Sequence, residues 1–334
     1  MTTSAGQPPA AGLPVRTAPG NDGSSFDIVA TYHQLLADNP DLTKPVVAIK
    51  ALIALLDSVP SSTTHETIEI LNDASERLKT SVRNPVPLLT GTHLFLWFTR
   101  QMLKEQDGNF DAVRQHLVKN GQLFAQRAIN ARYGVAEKGW RFVFPGCTVL
   151  THGASRAVLC VLERAQKEIP GRFKVIYVRD EQNPKESDSV IEQLQSYGIP
   201  TSAISLSSVL FAMTSLKPRI DMVFLGGEVI TEDGGIISRM GTCQIAQAAN
   251  NCNINTYVCG ETHKFSAYYP DGPDCVGFKQ EINEFSTKGL EAPQQELVDW
   301  TPAKYVTQLI TETGIHLPTY VVEVILDTYG SLDG

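Results

Sequence analysis

Two clusters of residues in this chain have types and spacings suited to chemistry. His152, Gly153, Ser155 and Arg156 follow the β-branched and aliphatic run Thr148–Thr151. Further on come Gly226, Gly227 and Glu228, then Gly234, Gly235, Arg239, Gly241 and Thr242. Glycines let a backbone approach a ligand closely, a helix N-terminus presents free N–H groups, and an arginine adds a full charge. Together they suit an anion, most simply a phosphate monoester. The same glycines equally suit an ordinary loop between strand and helix. His152 is either a hydrogen bonder facing a ligand or a satisfied histidine that fixes a turn. Ser155 fits a helix N-cap better than a nucleophile, because no base stands at a motif spacing from it. Arg156 can grip an anion or pair with a neighbouring carboxylate. Glu228 is the one acid placed to act in a crevice, although a structural or partner-contacting glutamate is the commoner outcome. No Walker A or G-x-G-x-x-G pattern is present, so no cofactor is expected.

The elements that must position these residues fall into two parts. From Phe26 onward, apolar residues recur at helical spacing: Val29, Tyr32 and Leu36, then Val46, Ile49, Ile53 and Leu56, then Ile68, Leu71 and Leu78. Pro45 belongs in a first helical turn, and Thr63 with Glu66 forms a capping box. Further helices are expected over 90–105 and 110–131, the latter through Val113, Leu117, Phe124 and Ala128. From about Trp140 the pattern changes to short β-rich runs at 147–151, 173–178, 201–205, 221–225 and 255–259, separated by helix-sized segments. That is the spacing of βαβ units in a parallel sheet. The segment from Trp300 to Tyr329 reads as two short helices. The expected architecture is α/β: a tail over 1–24, an all-helical N-terminal domain over 25–135, and a Rossmann-like domain with a mainly parallel sheet over 136–334.

Bulk composition narrows the function. A net charge of −8 argues against direct nucleic-acid binding, which needs a basic surface. The six cysteines show no C-x-x-C pair and no companion histidine spacing, so neither a zinc site nor any other metal site is expected and reduced thiols are. No apolar run approaches the roughly 18 residues needed to cross a bilayer. The first 25 residues, rich in Pro, Gly, Ser, Thr and Ala, resemble neither a secretory signal nor a transit peptide and read as a disordered tail. The expected compartment is the cytoplasm.

Several segments, in order, resemble one family. Thr148–Leu159, Met222–Glu228 and Glu232–Thr242, with Pro45–Leu52 and Trp300–Leu309, look like signature segments of the regulatory subunits of translation initiation factor 2B. In length and short tail the chain is most similar to the alpha subunits of that family. The resemblance implies a homodimer, formed through the Rossmann-like domain, that joins two copies of the beta, gamma, delta and epsilon subunits of the exchange factor. It also implies a part in sensing initiation factor 2 phosphorylated on its alpha subunit. The same fold contains isomerases of methylthioribose 1-phosphate and ribose 1,5-bisphosphate, in which a cysteine follows the strand-end Thr-His and an aspartate follows a Gly-Ala pair. The matching positions here are Gly153 and Glu228. Gly153 has no side chain, and Glu228 reaches one methylene further than an aspartate. Cys160 lies about 10 Å further along a helix and is no substitute. The resemblance therefore implies a pocket for a sugar phosphate formed by the clusters above, without the catalytic pair; isomerase activity is the alternative.

Overall fold

The computed structural model describes residues 26–329 apart from 40, 60–62, 106–109, 216, 281, 283–284, 286 and 288–295. The expected tail over 1–24 lies outside these residues, as do the side chains of Val113, Leu117 and Phe124.

Among the described residues five helices come first: α1 (Ile28–Asp38), α2 (Lys44–Ser58), α3 (Thr64–Ser81), α4 (Val86–Glu105) and α5 (Phe110–Gly139). Their starts follow local chemistry. The Asp27 carboxylate accepts from the N–H groups of Val29 and Ala30 at 3.0 and 3.1 Å, and Thr63 Oγ1 accepts from Glu66 N–H at 3.2 Å. Asn84 Oδ1 accepts from Val86 N–H at 3.0 Å, so the Asn-Pro-Val-Pro break is also the opening of α4. α2 is buried almost all round, through Val46, Val47, Ala48, Ile49, Ala51, Leu52, Leu55 and Leu56, and forms the centre of this core.

The chain then alternates strands and helices: β1 (Thr148–His152), α6 (Arg156–Glu168), β2 (Lys174–Val178), α7 (Pro184–Ser196), β3 (Thr201–Ile204), α8 (Val209–Thr214), β4 (Met222–Gly226), β5 (Val229–Ile230), β6 (Ile236–Arg239), α9 (Thr242–Asn251) and β7 (Asn255–Cys259). It finishes with β8 (Val298–Thr301), β9 (Gln308–Ile310), β10 (Ile315–His316) and α10 (Tyr320–Tyr329). Seven strands form one sheet in the order β10-β9-β7-β4-β1-β2-β3, parallel except for the β10–β9 pair. Period-two alternation splits its side chains between two faces. Val149, Val175, Tyr177 and Phe224 pack with α6 and α7, whereas Leu150, Ile176, Val223 and Leu225 pack with α8, α9 and α10. Val135 and Ala136 near the end of α5 belong to the first of these layers, while Ala128 belongs to the helical core.

One expectation is corrected here. The segment from Trp300 is not a helix followed by another: Trp300 lies in β8, Leu309 in β9, and only α10 is α-helical. β8 completes a small antiparallel sheet, β5-β6-β8, with Ile236 opposite Thr301 and Arg239 opposite Val298. Its strands are two to four residues long, too short to carry a period.

The strand order fixes where a site can form. After β1 the chain moves outward through β2 and β3, then returns to place β4 on β1's other side. Beyond the carboxyl ends of β1 and β4 the connections diverge and leave a crevice, the position where open α/β sheets bind ligands. Those ends are His152 and Gly226.

The helical part closes over this crevice through a tight crossing of α4 on the start of α2. A Cβ at Gly91 would stand 2.6 Å from the carbonyl oxygen of Pro45 and 2.8 Å from its Cα, both backbone atoms that cannot rotate away. Gly91→Ala should therefore destabilise the fold by about 2 kcal/mol despite alanine's higher helix propensity. Urea unfolding monitored by far-ultraviolet circular dichroism measures this; unchanged or higher stability would show that the two helices are free to separate.

Candidate functional site

The crevice is a cleft of about 130 Å³ lined by both parts of the molecule. Eight residues singled out from the sequence line it: His152, Gly153, Ser155, Arg156, Gly226, Gly227, Glu228 and Arg239. His152 is buried at the end of β1, with Nδ1 2.9 Å from Val178 O and Nε2 3.1 Å from Met240 O. Both ring nitrogens face backbone carbonyls, and a ring with one N–H donates to one of the two at a time. Gly153 turns the chain with φ +72°, a conformation that side-chain-bearing residues rarely adopt. Ser155 caps α6, its Oγ accepting from Val158 N–H at 3.4 Å. That side chain fills the space where a Cβ on Gly226 would stand, which explains why the end of β4 needs a glycine.

Arg239 holds the far wall. Its guanidinium lies 2.8 Å from Glu296, 3.2 Å from Glu186 and 3.5 Å from Glu228. Burial works against its charge, but Glu228, Glu296 and Glu186 outweigh that and raise its pKa. Glu296 also approaches Lys44 at 3.5 Å, and Asn84 Nδ2 donates to Glu228 at 2.6 Å. The anion-gripping arginine expected from the sequence is thus enclosed by the protein's own carboxylates, and Glu228 is anchored from two sides.

The opposite end is built from residues that the sequence did not single out, together with Arg156. Glu261, fully buried just past the end of β7, pairs with Lys264 at 2.8 Å and with Arg132 of α5 at 3.6 Å, in neither case as a well-aligned hydrogen bond. Burial would raise the Glu261 pKa, but Lys264 and then His263 outweigh it and hold it at about 2. His263 is pushed down to about 4, chiefly by burial. Arg156 donates to Leu42 O at 2.7 Å; burial and then the nearby Arg132 lower its pKa. Thr43, Lys44 and Pro45 from the start of α2, with Glu186 from α7, complete the rim. One signal could have found Glu261 and Lys264. They follow a core strand at its carboxyl end, on the same side of the sheet as His152 and Gly226.

Four expected residues lie elsewhere. Gly234 and Gly235 form the β5–β6 turn, where a Cβ on Gly234 would collide with Pro318 and one on Gly235 would stand 2.6 Å from Thr301 O. Gly241 and Thr242 do open α9, but outside the cleft lining. The acidic side chain at that helix end is Asp299, whose Oδ2 accepts from Gly241 N–H at 2.7 Å and Cys243 N–H at 3.1 Å. Thr242 Oγ1 donates to Arg239 O at 2.6 Å. The start of α9 therefore holds a carboxyl group of its own chain instead of facing the crevice. Among the described residues, no group of three or more His, Cys, Asp or Glu side chains is placed to hold a metal ion, and no helix is long and apolar enough to cross a membrane.

A helical domain closing over the switch-point crevice of a parallel sheet, with a small charged cleft between them, defines the structural class. Within it, the chain belongs to the initiation factor 2 subunit family, whose model matches residues 39–318. It is similar to translation initiation factor eIF2B subunit alpha of Dictyostelium discoideum, with 28% identity over 93% of this chain and 99% of that protein. The corresponding Caenorhabditis elegans subunit is 26% identical over 90% of this chain and 98% of that protein. Ribose 1,5-bisphosphate isomerase of Archaeoglobus fulgidus is 26% identical over 78% of this chain and 81% of that enzyme. Among solved structures, the tetrameric eIF2B-beta2-delta2 complex from Chaetomium thermophilum contains a chain that shares the fold. Its TM-score is 0.66 at 19% identity, covering 91% of this chain and 96% of that one.

Two outcomes follow from this geometry. Arg239→Gln leaves three carboxylates facing one another and should cost about 3 kcal/mol, at the low end for a broken buried pair because Glu186 is half-exposed. Glu228→Gln should cost less than about 1 kcal/mol, since Glu186 and Glu296 still face the arginine. Equal losses in urea titrations would mean that Arg239 does not organise the acids. The second concerns pH. Burial pushes the Asp299 carboxyl up to about 7 from an ordinary 3.8, against the opposing donors of Cys243 and Gly241. The folded chain keeps this proton where the unfolded chain has lost it. The stability it contributes is fully present below the unfolded value and is lost as pH rises towards 7. Asp299→Asn removes that slope, so the variant should gain on the wild type between pH 4 and pH 7; parallel stability curves would contradict this.

Proposed function

We propose that the chain is a non-catalytic regulatory subunit of the guanine-nucleotide exchange factor for translation initiation factor 2, acting in the cytoplasm. In this reading it forms a homodimer that joins two copies of the beta, gamma, delta and epsilon subunits. It also helps to sense initiation factor 2 phosphorylated on its alpha subunit. The named relatives of matching length support the exchange-factor assignment. The observation that carries the absence of catalysis is Gly153. At the position where the related isomerases place a reactive cysteine, this chain has only a hydrogen atom on a backbone at φ +72°. The acid that would complete the pair, Glu228, is held by Arg239 and Asn84. A proton transfer that needs a mobile, closely placed carboxylate has neither partner available.

We assign the cleft to a phosphorylated sugar that stabilises the folded subunit by mass action. His152, Gly153, Ser155, Arg156, Gly226, Gly227, Glu228 and Arg239 line it. The similarity to ribose 1,5-bisphosphate isomerases makes isomerisation the second reading. The purified chain should migrate at twice its 36.5 kDa mass, co-elute with the other four subunits when mixed, and show no turnover of ribose 1,5-bisphosphate above buffer. Turnover by the chain alone would replace the regulatory reading with the enzymatic one.

A further inference from the structure

We propose that a second cavity, between α4 and the small β5-β6-β8 sheet, is a binding site for a small apolar carboxylic acid. Its volume is about 350 Å³, and it shares no lining residue with the cleft. Val86, Leu89 and Leu96 line it from α4, and Val229, Ile237 and Val276 from the sheet and the segment that leads to β8. Val86, Val229, Ile237 and Val276 belong to one buried apolar cluster, so the body of a ligand held here is apolar. Such a ligand fills the seam between the helical part and the sheet.

Two polar features define the ligand's other end. Thr90, only 2% exposed, lines the cavity, and its hydroxyl has no hydrogen-bond partner among the described residues. Elsewhere in α4 a buried threonine turns back onto its own helix: Thr92 Oγ1 donates to Leu88 O at 2.8 Å, and Thr99 Oγ1 to Phe95 O at 2.9 Å. A buried hydroxyl left without a partner costs stability. A single water gains little there, because the other lining hydroxyls are engaged. Tyr268 Oη donates to Cys275 O at 3.0 Å, and Ser266 Oγ accepts from Tyr268 N–H at 3.3 Å. The second feature is Lys79 of α3, which lines the cavity and pairs at 2.8 Å with Glu76, an acid whose side chain is 70% exposed. Such a surface pair is weak and yields to a sheltered partner. Asp271 acts on Tyr268, but among the described residues no Asp or Glu lines the cavity. His93 stands one turn from Thr90; burial, then Lys79 and Arg100, lower its pKa, so the ring is neutral beside two cations. A carboxylate fits both features, one oxygen accepting from the Thr90 hydroxyl and the other facing Lys79.

Isothermal titration of the purified full-length chain with 3-phenylpropionate, 4-phenylbutyrate and their uncharged amides tests this. At least one acid should bind, about tenfold more tightly than its amide. Thr90→Val should weaken that acid about fivefold. The same substitution should raise the Tm of the unliganded chain by about 2 °C, because the unpaired hydroxyl is gone. Ala267→Leu places a larger side chain in the cavity lining and, with melting checked to confirm folding, should abolish binding. An acid whose affinity neither substitution changes binds elsewhere and overturns the site. An amide that binds as tightly as its acid overturns the carboxylate and the part given to Lys79. Binding of neither acid at about 5 mM overturns the proposal as a whole and leaves the reading of the cleft untouched.

Discussion

The contact on which the rest of the site depends is the enclosure of one guanidinium by three carboxylates. Arg239 stands at the end of β6, Glu186 on α7, Glu228 after β4, and Glu296 just before β8. Through Asn84 on Glu228 and Lys44 on Glu296, the same group reaches the helical part of the molecule. Desolvating a charge is costly unless partners surround it, and here four separate stretches of chain must be in register for those partners to exist. The enclosure therefore fixes the helical part over the sheet. A residue suited by type to hold a ligand's phosphate instead organises the protein's own acids.

The fold was legible wherever a residue pattern reports a local cause. The runs at Thr148–His152, Met222–Gly226 and Asn255–Cys259 are mostly β-branched, aliphatic or aromatic, and every position but Asn255 is buried, because the sheet is covered on both faces. The helix start at Thr63 showed because capping is a contact between neighbours. What stayed hidden was non-local. β8 owes its conformation to pairing with β6 across some 60 residues, and nothing in Val298–Thr301 declares it.

The site divides along the same line. His152, Gly153, Ser155 and Arg156 could be found because a strand end followed by a helix start is a local signature. Gly234 and Gly235 misled because a glycine required by a close-packed turn is indistinguishable, in sequence, from one required by a ligand. Only the backbone of Pro318 pressed against Gly234 separates the two. The start of α9 misled for a related reason: its N–H groups are satisfied by Asp299, more than 50 residues away. Glu261 and Lys264 were overlooked because an acid and a base three residues apart ordinarily mark a solvated surface, yet these two are almost wholly enclosed.

The longest helix, α5, is shared between the two hydrophobic interiors: Ala128 sits in one, and Val135 with Ala136 in the other. During synthesis the N-terminal helices leave the ribosome well before β1 and α6 exist, so the last turns of α5 emerge with half of their apolar stripe uncovered. Those turns gain their cover only from the sheet and α6, so the two interiors are joined through one helix.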